Sequence, residues 1–341
     1  MANFDTCFNF ALDCIDAGLM LHIQGKPGVG KSSVSKEVAT EKNLVHIPFC
    51  VNAREPIDVN GFAANNNGKA EYIPFDDIPL VGTAIPKGKS GWLLDLEELD
   101  QADPAMQKAL HRLILEREVG KYKVHPNVYF IASGNRPEDR AHASILSSAL
   151  QSRMAHITLD SNLVVTTNYG MRQGWDSGIL GYINFRVENL NNFDGRKTVG
   201  SYACERSWEM ANKLLKIWQK TKEPLASKAE ELSGVIGDAA AMDFLAFMEI
   251  KDDLITVPQI LANPASIDIP FNPGALFAIT ATLASTITDK EFKYAHLFIQ
   301  RCPFEYQILA YRSLLVRFPN LIATPEMSLW TREHGEQLYN F

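Results

Sequence analysis

Apolar and polar positions follow one pattern up to about residue 160 and another beyond it. In the first part, short apolar runs alternate with stretches of helical spacing. Residues 4–16 set Phe4, Phe8, Leu12 and Ile15 at helical intervals, and Gly18 supplies a stop. The run at 19–24 predicts a strand, and a helix is predicted over 33–40. Further strands are predicted at 44–49, 91–98, 128–135 and 156–159. Between the second and third strands, residues 60–90 are rich in Asn, Gly and Pro, so turn chemistry predicts hairpins or excursions from the core. A helix is predicted from Pro104, a good first-turn residue, to Glu118, with Gly120 beyond its end, and a short one over 147–153. Strands alternating with helices predict an α/β fold, with a mainly parallel five-stranded sheet covered on both faces.

Past residue 160 only helical spacing continues. The clearest helix is 206–219, with Trp208, Leu214, Leu215 and Trp218 on one stripe. Pro224 breaks the chain there, and 226–341 again reads helical, punctuated by Pro258, Pro264, Pro270 and Pro273. A length of 341 residues suits more than one core. Three segments are expected: 1–160, 161–225 and 226–341. Apolar content of 46% with 21% charged residues is that of an ordinary globular protein, with no apolar run long enough to span a bilayer. The five cysteines are scattered without C-x-x-C spacing, which suggests neither a disulfide framework nor zinc, and a cytoplasmic location is expected. A net charge of -7 argues against a broad nucleic-acid surface.

Chemistry concentrates where the first strand ends. The run Gly25-Lys26-Pro27-Gly28-Val29-Gly30-Lys31-Ser32-Ser33 fits G-x-x-x-x-G-K-S, a phosphate-binding loop. Gly25, Gly28 and Gly30 let the backbone wrap a polyphosphate so that successive N–H groups point inward. Lys31 can reach β and γ oxygens, and the Ser32 hydroxyl can ligate Mg²⁺. The following helix aims its positive dipole end at the same anion. A nucleoside triphosphate, ATP with Mg²⁺, is the expected ligand. Hydrolysis also needs an acid that holds the metal through water and a base that orients the attacking water. Glu97 and Glu98, at the end of a neighbouring strand, supply that pair, and Asn135 ends another. His22, before the loop, reads as a core histidine.

The residues then resemble a family. Residues 25–32 are similar to the AAA+ form of the phosphate loop. Glu97-Glu98-Leu99-Asp100-Gln101-Ala102-Asp103-Pro104-Ala105-Met106-Gln107 resembles the Walker B run of MoxR-type ATPases, D-E-[IL]-[ND]-x-A-x-P-x-x-Q. Residues 132–141, from Ala132 through Asn135-Arg136, resemble the sensor 1 strand and loop of that group. Leu150-Gln151-Ser152-Arg153-Met154 is similar to its arginine-finger segment, and Cys204-Glu205-Arg206-Ser207-Trp208 to its sensor 2 helix start. The chain thus resembles a MoxR-type AAA+ ATPase related to the CbbQ/NorQ group. The run at 302–307 is similar to the tails of phage and prophage members.

The resemblance implies an AAA+ αβα sandwich over 1–160, a small helical lid with sensor 2 over 161–225, and a helical C-terminal extension. It implies a ring homo-oligomer, usually a hexamer, with ATP at subunit interfaces. Lys31 and Ser32 then hold phosphates and Mg²⁺, Glu97 takes the Walker B metal place, and Glu98 is the base. Asn135 positions the water, Arg153 reaches the neighbouring subunit's nucleotide, and Arg206 senses nucleotide from the lid. One departure stands out: the family aspartate is Glu97 here, while Asp95 lies two residues earlier on the same strand face and offers a second register. Arg136 and Arg140 could face an interface. The implied function is a chaperone or remodeller acting on a protein client, with a von Willebrand factor A domain protein as partner. A low-turnover nucleotide-gated scaffold is the alternative, and the acidic balance disfavours a nucleic-acid translocase.

Overall fold

The computed structural model describes all residues except 1, 67, 140–145, 197–199, 253–254, 272 and 340–341. It divides into two compact units, Met1–Asp160 with Asp194–Lys197, and Ser161–Phe193 with Thr198–Phe341. In the first unit, α1 (Phe4–Asp16) leads into β1 (Met20–Gln24), α2 (Lys31–Glu41) and β2 (Leu44–Cys50). A short α3 (Pro56–Asn60) and the hairpin of β3 (Phe62–Asn66) and β4 (Lys69–Ile73) follow. Then come β5 (Gly91–Glu97), α4 (Pro104–Leu115) and a second hairpin of β6 (Glu118–Val119) and β7 (Tyr122–Lys123). The unit closes with β8 (Val128–Gly134), α5 (Ser148–Gln151) and β9 (Met154–Thr158).

Five strands form one sheet in the order β2-β5-β8-β1-β9, and every pairing in it is parallel. Its alternating faces explain the apolar runs of the sequence. Leu21, Ile23, Leu93 and Ile131 pack with Cys7 and Ala11 of α1 and with Val34 and Val38 of α2. Leu94, Leu96, Phe130 and Ala132 pack on the other face with Met106, Leu110 and Leu113 of α4. The expected α/β sandwich is therefore present. Each fully buried leucine contributes roughly 1.5–3 kcal/mol. In this order β1 lies beside β8 with Gln24 opposite Gly134, and β8 beside β5 with Ala132 opposite Leu96. The carboxyl ends of the three central strands are thereby neighbours, the usual ligand position in such sheets.

The hairpin expected within 60–90 is β3–β4. Helix α4, in contrast, stops at Leu115 rather than Glu118. Arg117 takes a left-handed φ of 51° and Gly120 one of 58°, so the chain turns back instead of continuing. The Arg117 Nη2 donates to the carbonyls of His125 (3.0 Å) and Val128 (2.7 Å), and Val119 is buried in the core. Those gains outweigh one more helical turn.

The second unit is helical throughout its described residues: α6 (Leu163–Arg172), α7 (Ser177–Phe185), α8 (Glu205–Thr221), α9 (Ala229–Ile236) and α10 (Asp238–Asp252). They are followed by α11 (Val257–Ala262), α12 (Pro273–Thr286), α13 (Phe292–Ile299), α14 (Phe304–Arg317) and α15 (Pro325–Tyr339). One apolar cluster gathers around Tyr182, Trp208 and Phe244, and another around Phe298, Tyr311 and Trp330. Helix α12 serves both, through Ala278 on the first and Leu276, Ile279 and Leu283 on the second. No helix among the described residues is long and apolar enough to cross a membrane.

Candidate nucleotide-binding site

Residues 25–30 connect β1 to α2. Gly28 (φ 79°) and Gly30 (φ 101°) hold the left-handed backbone that a phosphate cradle needs. At Gly25 a Cβ would stand 2.4 Å from the carbonyl oxygen of Leu159, so glycine is required there for close packing. Val29 turns inward and is buried in the core beneath the loop, which fixes its base. Helix α2 starts at Lys31 behind Gly30, with no side chain capping its first amides. Those open N–H groups and the helix dipole suit an anion. Pro27 and Ser32 are half-buried and Ser33 is exposed.

Lys31 is the junction of the site. Its Nζ donates to the carbonyls of Gly25 (2.8 Å) and Lys26 (3.0 Å) and to Asn135 Oδ1 (3.0 Å). The structure thus brings the phosphate loop and the end of β8 together, although 104 residues separate Lys31 from Asn135. Gly25 N–H donates to the Gly134 carbonyl at 3.2 Å and continues the β1–β8 ladder into the loop.

Glu97 closes β5 opposite Cys50, and both are half-buried. Glu98 follows in the left-handed region (φ 58°, ψ 38°), a conformation costing a non-glycine residue roughly 1–3 kcal/mol. The Cys50 thiol lies 3.9 Å from Glu98 Oε2 as a donor. Asp95, the alternative acid, is fully buried in the sheet and lies 3.0 Å from His46 Nε2. Burial pushes its carboxyl above the ordinary value, the His46 hydrogen bond opposes that rise, and the Glu97 charge adds to it. The residues present fit a hydrated Mg²⁺: the Ser32 hydroxyl and the Glu97 carboxylate are hard oxygen donors, the type this ion prefers.

The other sequence candidates are placed as follows. Arg136, next to Asn135, is engaged by Asp139 through paired contacts of 2.9 and 3.0 Å. Arg140 lies outside the described residues. Arg153 is exposed in the turn after α5, with its N–H on the Leu150 carbonyl. It forms no ion pair among the described residues. Arg206 is exposed in the first turn of α8, in the second unit. That helix is anchored by a reciprocal cap between Cys204 and Ser207 and by buried Trp208. His22 is buried, its ring edge-on to His156 at 5.4 Å. Burial first, then His156 and Lys31, bring its pKa down to about 4, so the ring is neutral.

One residue of this region was not singled out from sequence. Asp100 is buried in the turn after Glu98, at 3% exposure. Its only sequence signal is its place as fourth residue of the acidic run, where an Asp or Asn is common to the family pattern.

One comparison with known protein families covers this region. Residues 20–154 match the model of the AAA domain, dynein-related subfamily. An AAA nucleotide-binding domain occupies this stretch, from the strand before the phosphate loop to the residue after Arg153. A solved structure of NtrX from Brucella abortus is similar over 98% of this chain and 68% of that one, at 12% identity and a TM-score of 0.34. No curated protein matches the chain.

Proposed function

We propose that this chain binds and hydrolyses ATP as one subunit of a homo-oligomeric ring, most simply a hexamer, and uses the cycle to remodel a protein client. The observation that carries the reading is the junction of Lys31 with Asn135 at the carboxyl ends of β1 and β8, beside the open N-terminus of α2. A phosphate chain lying along Gly25, Gly28, Val29 and Gly30 would meet inward amides and the Lys31 ammonium. Mg²⁺, held by Ser32 and Glu97, would supply charge neutralisation on the phosphates. Glu98 is assigned the general base and Asn135 the residue that orients the attacking water. Arg153 would act in trans on the neighbouring subunit's nucleotide, and Arg206 would sense nucleotide from the helical unit.

The MoxR-type motifs favour an assembly or activation chaperone, with a von Willebrand factor A domain protein as partner. Nucleotide cycling at interfaces would change subunit angles and act on the client. The nucleotide part is tested with Lys31→Ala. Removing the charged donor of the loop should weaken ATP binding by about ten- to a hundredfold, from the roughly 1.5–3 kcal/mol of hydrogen bonds to charged groups. Isothermal titration showing wild-type affinity would remove the site assignment. Client capture by a Glu98→Gln ring held with ATP tests the remodelling part, and no detectable turnover by the wild type would favour the scaffold reading instead.

A further inference from the structure

We propose that Asp100 is a positioning residue of the hydrolytic site: its buried side chain, seated against the backbone at Gly134, sets where Asn135 presents its amide to Lys31. The proposal rests on the nucleotide-site reading above. Asp100 lies in a short turn, Leu99–Gln101, entered through the left-handed Glu98. Both carboxylate oxygens are buried, and neither makes a hydrogen bond of good geometry among the described residues. A carboxyl at that depth costs several kcal/mol unless its surroundings compensate.

Its surroundings belong to the site. A Cβ on Gly134 would stand 2.5 Å from Asp100 Oδ1 and 3.1 Å from its Cγ. The acid therefore fills the space that a side chain at 134 would need. Gly134 is the last residue of β8, its carbonyl receives the Gly25 N–H, and the next residue, Asn135, meets Lys31 Nζ. Burial raises the Asp100 pKa. The backbone N–H groups of Asn135 and of Asp100 oppose that rise, as does the Lys31 charge, while Glu98 adds to it. A single packed contact thus joins the turn carrying the general base to the strand end carrying the water-positioning amide. Moving Asp100 would move Asn135 relative to both Glu98 and Lys31.

The test uses the full-length chain, with ATP turnover, ATP affinity by titration and thermal melting measured on each variant. Asp100→Ala should lower kcat by about ten- to a hundredfold, the usual cost of a misplacement near 1 Å, with ATP affinity kept within about threefold. Asp100→Asn, which keeps the shape and one carbonyl acceptor, should restore most of that loss. Gly134→Ala should lower kcat in the wild-type background and cost much less once Asp100 is alanine, because the contacts with Oδ1 and Cγ are then gone and only the one with the Asp100 Cβ, at 3.2 Å, remains. A merely structural role would lower the melting temperature and leave the kcat of the folded protein unchanged.

Wild-type kcat in Asp100→Ala, or additivity of the two substitutions, overturns the proposal, and so does an Asp100→Asn variant as slow as alanine. Should Asp100→Ala not fold, Asp100→Gly, which removes the Cβ as well, takes its part in the cycle. The two readings fail separately. Unchanged ATP affinity in Lys31→Ala removes the site itself, whereas loss of binding there with full turnover in Asp100→Ala removes only the positioning role.

Discussion

Replacing Arg153 by alanine is expected to lower ATP turnover by about a thousandfold or more, the scale of arginine-finger losses, while ATP affinity stays near the wild-type value. Two features of Arg153 suit such a role. It is exposed, following the short helix α5, and it forms no ion pair among the described residues. An arginine held by its own carboxylate, as Arg136 is by Asp139, would first have to break that contact. The trans assignment has its own check. Lys31→Ala subunits lack the ammonium of the phosphate loop but keep Arg153, and Arg153→Ala subunits have the reverse pattern. Mixing the two should recover part of the lost turnover if the arginine of one subunit serves the site of the next. Wild-type turnover in the Arg153→Ala protein alone would remove the finger, and a mixture no faster than its parts would place its action within the chain.

Much of the nucleotide-binding unit was legible in sequence because its signals are local. Parallel strands buried on both faces read as near-continuous apolar runs, as with Trp92, Leu93, Leu94 and Leu96 around the one acid Asp95 in β5. The phosphate loop was legible because its chemistry dictates glycine at fixed spacing, and Gly25, Gly28 and Gly30 each meet a distinct packing or backbone demand. Helix ends were less legible. Whether residues 116–119 continued α4 depended on Arg117 finding two carbonyls on the far side of a hairpin, contacts that no local pattern announces. The pairing of His46 with Asp95 joins residues 49 apart on adjacent strands and was equally hidden. Asp100 carried no signal beyond its place in the acidic run, and only the absence of a Cβ at Gly134 reveals what it packs against. In the helical unit, spacing located helices but not their partners. Helix α12 is apolar on nearly all sides and serves two clusters, which a stripe-based reading cannot distribute.

The acid pair at the end of β5 yields the other large effect. Glu98→Gln keeps a polar group of the same shape that cannot take a proton, so turnover should fall by about 10²–10⁴-fold, the range of general-base losses, with ATP still bound. Glu97 and Asp95 then separate by what surrounds them. Asp95 is sealed in the sheet and engaged by His46, while Glu97 is half-buried at the strand end, where the adjacent β8 and, beyond it, β1 also finish. The register that assigns Glu97 to the metal therefore leaves Asp95 a structural acid. Under that register Glu97→Gln raises the Mg²⁺ concentration needed for half-maximal rate, and Glu97→Asp, which restores the family aspartate, preserves or increases turnover. Asp95→Asn disturbs the buried pair with His46 and should lower stability by about 1–3 kcal/mol, with the folded protein still hydrolysing ATP. If Asp95 is the metal acid instead, Glu97→Asp is nearly silent and Asp95→Asn abolishes hydrolysis in protein that remains folded. Rates against Mg²⁺ concentration, measured beside thermal melts of the same variants, decide between the registers, because only a metal ligand shifts the Mg²⁺ dependence while only a buried structural pair shifts the melt.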